Sequence, residues 1–253
     1  MHTPFSQRAR ALFQSGLDLF FPPRCAGCQR GGSLLCPVCW QTMQPLAPPL
    51  CQRCGPPLSA PTEICPVCRY SHLLLHGLRC VNRYQGPLRN AIHALKYAGQ
   101  QRLAEPLGLL LAEAFRRYGM HTDGIVPLPL HPQRQQRRGY NQAALLARIC
   151  ATDLKIPCLE NLVWRQRVTL AQVGLAFHER QQNVAGAFAL TPGARLTGYR
   201  SLLLIDDVST TGATLEACAA PLYAAGVTQV WGLVLGKPYN LAHDGSKGHD
   251  EIT

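Results

Sequence analysis

No run in this chain reaches the length and apolarity of a membrane-spanning helix, and the first twenty residues lack a small-residue cleavage site. Export is therefore not expected, and the chain reads as cytoplasmic. The Walker pattern GxxxxGK[ST] is absent, as is GxGxxG, which excludes two common phosphate cradles. Aromatic residues make up only 7%, so composition offers no obvious platform for stacking bases. Acids are outnumbered, 14 against 25 lysines and arginines, for a formal charge of +11. That balance invites a phosphate or nucleic-acid partner. At 47% hydrophobic, the 253 residues suffice for one α/β domain with a small appendage.

Cysteine, by contrast, is concentrated. Cys25, Cys28, Cys36, Cys39, Cys51, Cys54, Cys65 and Cys68 form successive C-x-x-C pairs. In a chain without an export signal such pairs point to zinc rather than disulfides, because the cytosol keeps thiols reduced. A C-x-x-C turn sets two sulfurs about 3.5 to 4 Å apart, and two turns complete a tetrahedral site with Zn–S near 2.3 Å. Sequential pairing gives a double zinc ribbon over 22–79; spacing also leaves a cross-braced pairing open. Both sites read as structural, with four protein ligands and no open position. Eight thiolates on two Zn²⁺ would remove most of the positive charge of residues 1–82, seven basic against two acidic. The surviving excess then lies in the second domain. Residues 1–21 read as an amphipathic helix packing on the rest, with a membrane-surface helix as the alternative.

The second domain, 80–238, is organised around SLLLIDDVSTTGAT (201–214). An apolar run, Leu202 to Ile205, reads as a strand buried on both faces of a parallel sheet. From Ala213 to Ala225 the pattern is helical, with Gly226 as its stop. Strand, small hydroxylated loop and helix aim backbone N–H groups and a helix dipole at one point, which suits a phosphate. Asp206 and Asp207 would repel a bare phosphate but can accept hydrogen bonds from vicinal hydroxyls. Ribose 5-phosphate meets both requirements. The expected contacts are Asp206, Asp207, Val208, Ser209, Thr210, Thr211, Gly212 and Thr214.

Three segments accompany it. Pro87 opens a helix ending at Gly99, on which His93 and Lys96 share a face with Tyr97 beside them. The strand GIVPLPL (124–130) leads into HPQRQQRRG, expected as a loop before a helix starting near Asn141. Arg134, Arg137 and Arg138 of that loop can meet a pyrophosphate, solvent or a nucleic-acid backbone. Residues 165–188 are long, polar and poorly periodic between strands near 159–164 and 187–190, as a lid would be. Its residues to watch are Arg165, Thr169, Gln172, Arg180 and Asn183. The tail, 239–253, reads as loose.

IDDVSTTGAT resembles the phosphoribosyl-pyrophosphate (PRPP) loop of type I phosphoribosyltransferases. FPPRCAGC, YQGPLRNAIHALKYAG, VPLPLHPQRQQRRGYNQA and ERQQNVAGAF, in that order, are similar to the ComF/GntX family of competence and DNA-utilisation proteins. The resemblance spans roughly residues 20 to 236. It implies a phosphoribosyltransferase-like parallel-sheet domain that binds PRPP with Mg²⁺, pyrophosphate held by the arginine loop, and a lid over the substrate. His93, Lys96 and Tyr97, in the family's HALKYxG motif, would then lie near the ligand. It also implies a role in handling imported DNA, which the basic loops and the zinc ribbon would hold as a single strand; a zinc ribbon that docks a helicase-like protein is a further reading. The alternative is an active Mg²⁺-dependent transferase acting on a nucleobase, for which Asp207 is the candidate general base.

Overall fold

The computed structural model describes residues 22–58, 63–70, 73–167 and 184–238. The helix expected over 1–21 and the tail from 239 lie outside the described residues. In the ribbon, α1 (Pro37–Thr42) and the single turn α2 (Pro66–Arg69) each begin at a proline that follows a cysteine. Proline is suited to a helix start, since the amide it lacks would have no intrahelical acceptor there.

The larger domain runs β1 (Gly77–Arg83), α3 (Gly86–Tyr97), α4 (Ala104–Arg117), β2 (Gly124–Pro127), α5 (Pro132–Arg138) and α6 (Gln142–Leu154). It continues with β3 (Val163–Arg165), β4 (Phe188–Leu190), β5 (Ser201–Val208), α7 (Ala213–Ala224) and β6 (Gln229–Lys237). Four strands form one parallel sheet in the order β1-β6-β5-β2, and β3 pairs with β4 antiparallel. Alternate residues of β5 face opposite layers. Leu203 and Ile205 join a core with Leu107, Leu110 and Leu111 of α4 and Leu146 of α6, whereas Leu202 and Leu204 meet Leu215, Cys218 and Leu222 of α7. Each fully buried leucine is worth about 1.5–3 kcal/mol, so the two-sided run fixes β5 at the centre.

The boundary drawn between 79 and 80 falls inside β1, because Gly77, Leu78 and Arg79 already pair with Trp231, Gly232 and Leu233 of β6. The ribbon lies along this edge strand. The Leu46 amide donates to the Val81 carbonyl at 2.9 Å, and the Leu78 amide to the Arg53 carbonyl at 2.7 Å. The Asn82 side chain donates to the carbonyls of Thr42 and Gln44 at 3.1 and 3.0 Å. The appendage thus covers a sheet edge that would otherwise offer unpaired backbone groups.

HPQRQQRRG is not a loop: residues 132–138 form helix α5. His131 caps it, Nδ1 accepting from the Gln133 amide at 3.3 Å; Pro132 takes the first position, and Gly139 ends it at φ 83°. Each is an ordinary start or stop signal that the polar composition masked. Arg165, expected in a lid, belongs to β3 and is buried. Among the described residues no helix is long and apolar enough to cross a membrane.

Candidate functional site

The cysteines group sequentially. The sulfurs of Cys25, Cys28, Cys36 and Cys39 lie within 4.8 Å of one another, as do those of Cys51, Cys54, Cys65 and Cys68, so the cross-braced pairing is not adopted. Cys28 and Cys36 Sγ are 3.6 Å apart, and Cys54 and Cys65 Sγ also 3.6 Å. A tetrahedral ion with Zn–S near 2.3 Å requires about 3.8 Å between sulfurs, so both sets fit Zn²⁺. The two sites repeat the same local bonds: the Cys36 amide donates to Cys25 Sγ and the Cys65 amide to Cys51 Sγ, each at 3.3 Å. Such outer bonds orient the thiolates and hold their charge. The remaining cysteines are free thiols; Cys80, Cys150 and Cys218 are buried in the cores.

β5 carries Asp206 and Asp207 at its C-terminal end, inside the strand rather than after it. Adjacent strand residues point to opposite faces. Asp207 turns inward toward α3, where its Oδ1 lies 2.7 Å from Lys96 Nζ, with side-chain exposures of 3% and 17%. Its Oδ2 is buried without a hydrogen-bond partner. Asp206 is partly exposed, and its Oδ1 accepts from the Asp207 amide at 2.8 Å. Burial, then the neighbouring Asp207 charge, pushes the Asp206 carboxyl up to about 8, against the pull of Lys96. The Lys96 ammonium is held above the ordinary lysine value: burial works against its charge, and Asp207 followed by Asp206 outweighs it.

Beyond Val208, which packs on the core, the chain bends through Ser209 and Thr210 to Gly212. Ser209 is buried, and its amide donates to the Gly236 carbonyl at 3.1 Å. Thr210 is exposed. Thr211 Oγ1 accepts from the Ala213 amide at 3.3 Å. Gly212 sits at φ 91° as the residue before α7, a conformation that disfavours any side chain. The first helical bond runs from the Glu216 amide to the Gly212 carbonyl. The earlier amides of this turn, with Thr214 among them, head the helix where an anion is favoured.

The basic residues divide. Arg134 and Arg137 are exposed on α5. Arg138 bonds the Gln142 side chain and places its guanidinium 5.3 Å from the Tyr97 ring centre. Arg165, buried over the Phe188 ring at 5.3 Å, lies in the fields of Arg134 and Asp206. Burial and Arg134 hold its pKa below the usual arginine value, whereas Asp206 raises it. Arg165 of β3 thus feels both Arg134 of α5 and Asp206 of β5. Thr169, Gln172, Arg180 and Asn183 lie outside the described residues. Lys96 stood out on its helix face in the sequence, but its pairing with Asp207 had no sequence signal. The buried cation Arg165 was hidden within a segment whose polarity suggested a lid.

Residues 16–69 match the double zinc ribbon domain model. The chain is 35% identical over 227 residues to competence protein F of Haemophilus influenzae, covering 85% of this chain and 97% of that one. It is 32% identical over 204 residues to the DNA utilization protein YhgH of Salmonella typhimurium, covering 78% and 88%. Competence protein ComFC of Bacillus subtilis is 25% identical over 198 residues, with 76% and 79% covered. Among solved structures, the glutamine PRPP amidotransferase of B. subtilis complexed with ADP and GMP aligns at a TM-score of 0.35 and 20% identity. That alignment spans 52% of this chain and 25% of that one, too slight a likeness to build on.

Proposed function

Because the chain belongs to the ComF family of competence and DNA-utilisation proteins, we propose that its α/β domain binds PRPP or another ribose 5-phosphate and serves the cytoplasmic handling of imported single-stranded DNA. One observation carries the ligand assignment: the turn that Gly212 makes into α7 at φ 91° directly follows two strand-end carboxylates, one of them paired with the half-buried Lys96. The hydroxyls of Ser209, Thr210, Thr211 and Thr214, with the amides of Thr210, Thr211 and Thr214, would take the 5-phosphate. Asp206, partly open, would accept from a ribose hydroxyl.

Asp207 can join only if Lys96 gives way, since Lys96 occupies it and it is almost fully buried. The same pairing means that Asp207 would need Lys96 displaced before it could act as a general base. Lys96, released, would be free to meet the ligand's phosphates. The unpartnered Oδ2 of Asp207 and the Asp206 carboxyl, once the cation displaces its proton, would form a donor set for a hard cation shared with a pyrophosphate. Mg²⁺ bound there would neutralise charge on the pyrophosphate. Arg165, in the field of Asp206 and of Arg134, would meet a pyrophosphate, and the backbone of single-stranded DNA would follow Arg134 and Arg137 along α5.

Thermal unfolding of the zinc-loaded protein with Mg²⁺ and PRPP, ribose 5-phosphate or inorganic phosphate tests the ligand assignment. A ligand at a hundred times its Kd adds about 2.7 kcal/mol of stability. PRPP should raise the Tm most and phosphate alone least; no shift with any of the three would remove the assignment.

A further inference from the structure

Composition argued against a base-stacking surface, yet the exposed rings of the larger domain flank its basic helix. Tyr97, at the end of α3, is 66% exposed, with the His93 ring 4.7 Å from its centre and the Arg138 guanidinium over it. On the other flank, Trp164 is 45% exposed although Val163 and Arg165 beside it are buried. Its cross-strand neighbour is Ala189, too small to cover an indole. A large aromatic ring left in water beside cations is a poor arrangement for stability alone and a good one for a flat ligand.

Between α5 and β3 lies a cavity of about 500 Å³, lined by Trp164, Arg165, Gln101, Gln135 and Asn161 among others. That size lies within the range of about 300–1,000 Å³ typical of small-molecule sites. Each carboxamide offers a donor and an acceptor side by side, which matches the edge of a nucleobase, and the indole offers its face. Asn141, also in the wall, is committed elsewhere, capping α6 through the Ala143 amide and donating to the Leu128 carbonyl.

We propose that this cavity is a nucleobase site: one base stacks on Trp164 and is read at its edge by Gln101, Gln135 and Asn161, while a neighbouring base rests on Tyr97. The phosphates between them run along Arg134 and Arg137. The proposal deepens the reading above and rests on it in one respect, that the strand is imported DNA. Arg165 lines the cavity and lies in the field of Asp206, so it couples the base site electrostatically to the end of β5. A free nucleobase or nucleoside carries the same chemistry as a base in a strand.

The test uses full-length, zinc-loaded protein and fluorescence anisotropy with an oligo-dT of about twelve nucleotides, within the site sizes usual for single-strand binders. An oligonucleotide of equal length with abasic sites throughout supplies the backbone alone. Stacking is worth about 1–3 kcal/mol per base, so Trp164→Ala and Tyr97→Ala should each weaken oligo-dT binding about tenfold. Both should leave the abasic strand bound as in the wild type, and Trp164→Phe should retain most of the oligo-dT affinity, which also controls for folding. Equal losses on both strands, no loss on either, or oligo-dT bound no tighter than the abasic strand would overturn the proposal. Competition with millimolar adenosine or thymidine separates the sources: displacement abolished by Trp164→Ala supports a site open to free bases, and its absence supports one confined to a strand. PRPP titration in parallel keeps the two readings apart. Oligo-dT binding through Trp164 without PRPP binding overturns only the sugar-phosphate assignment, and the reverse pattern overturns only this one.

Discussion

Lys96 Nζ lies 2.7 Å from Asp207 Oδ1, a nearly buried ion pair joining the helix after the first strand to the end of β5. Removing one member leaves the other charged in a low-dielectric setting, at a cost of about 3–5 kcal/mol. Lys96→Met should therefore lower unfolding free energy by that order in urea denaturation. The double variant Lys96→Met, Asp207→Leu should recover most of the loss, since no orphaned charge remains. A double variant as unstable as the single one would show that the pair is not what holds α3 against β5.

Asp206 gives a pH signature. Its carboxyl is pushed up to about 8 in the folded protein, so the native state keeps a proton that the unfolded chain has released in the ordinary carboxylate range. Between those limits the native state binds more protons, and stability contributed by this group falls as pH rises. Urea midpoints from pH 5 to pH 8 should decline more steeply in the wild type than in Asp206→Asn. Parallel profiles would contradict the assignment.

Zinc removal should be felt beyond the ribbon. The ribbon donates and accepts backbone hydrogen bonds along β1, through Leu46 and Arg53. A strong chelator should extract two ions per chain, lower the Tm of the whole protein and expose an edge prone to association. Cys51→Ser should reduce the zinc content to one, because the two cysteine sets are separate. Metal analysis after dialysis reads the stoichiometry, and light scattering reads the association.

The exposed arginines of α5 should set the salt dependence of DNA binding. A single-strand contact contributes about 0.7 to the slope of log affinity against log salt. Arg134→Ala with Arg137→Ala should reduce that slope by about 1.4 in anisotropy titrations across salt concentrations. An unchanged slope would place the strand elsewhere.

Much of this molecule was legible because local signals agreed with the fold. Cysteine spacing marked all eight metal ligands but left their pairing to the fold, and the apolar run ahead of Asp206 marked the strand on which the sheet is built. The expected turn and helix stand where Gly212 and Gly226 punctuate the chain. Helix α5 was missed because a run of Gln and Arg has no apolar face, although His131, Pro132 and Gly139 framed it. Arg165 was misjudged for a related reason: a three-residue strand is too short for alternation to register. The choice of Lys96 as the partner of Asp207 depends on how α3 packs on the sheet, which no local pattern encodes.

The central claim is that the turn from β5 into α7 grips a ribose 5-phosphate. Calorimetric titration with PRPP and Mg²⁺, run on the wild type, Asp206→Asn and Gly212→Ala, tests it most directly. The account predicts saturable one-to-one binding to the wild type, weakened about tenfold or more by Asp206→Asn, which cannot be drawn by Mg²⁺ and PRPP into the ionised acceptor that a carboxyl becomes on giving up its proton. Gly212→Ala, forced from the left-handed conformation it needs, should lose binding while remaining folded by circular dichroism. Binding of equal strength to all three proteins would contradict the account, as would a wild type that takes up no PRPP at millimolar concentration.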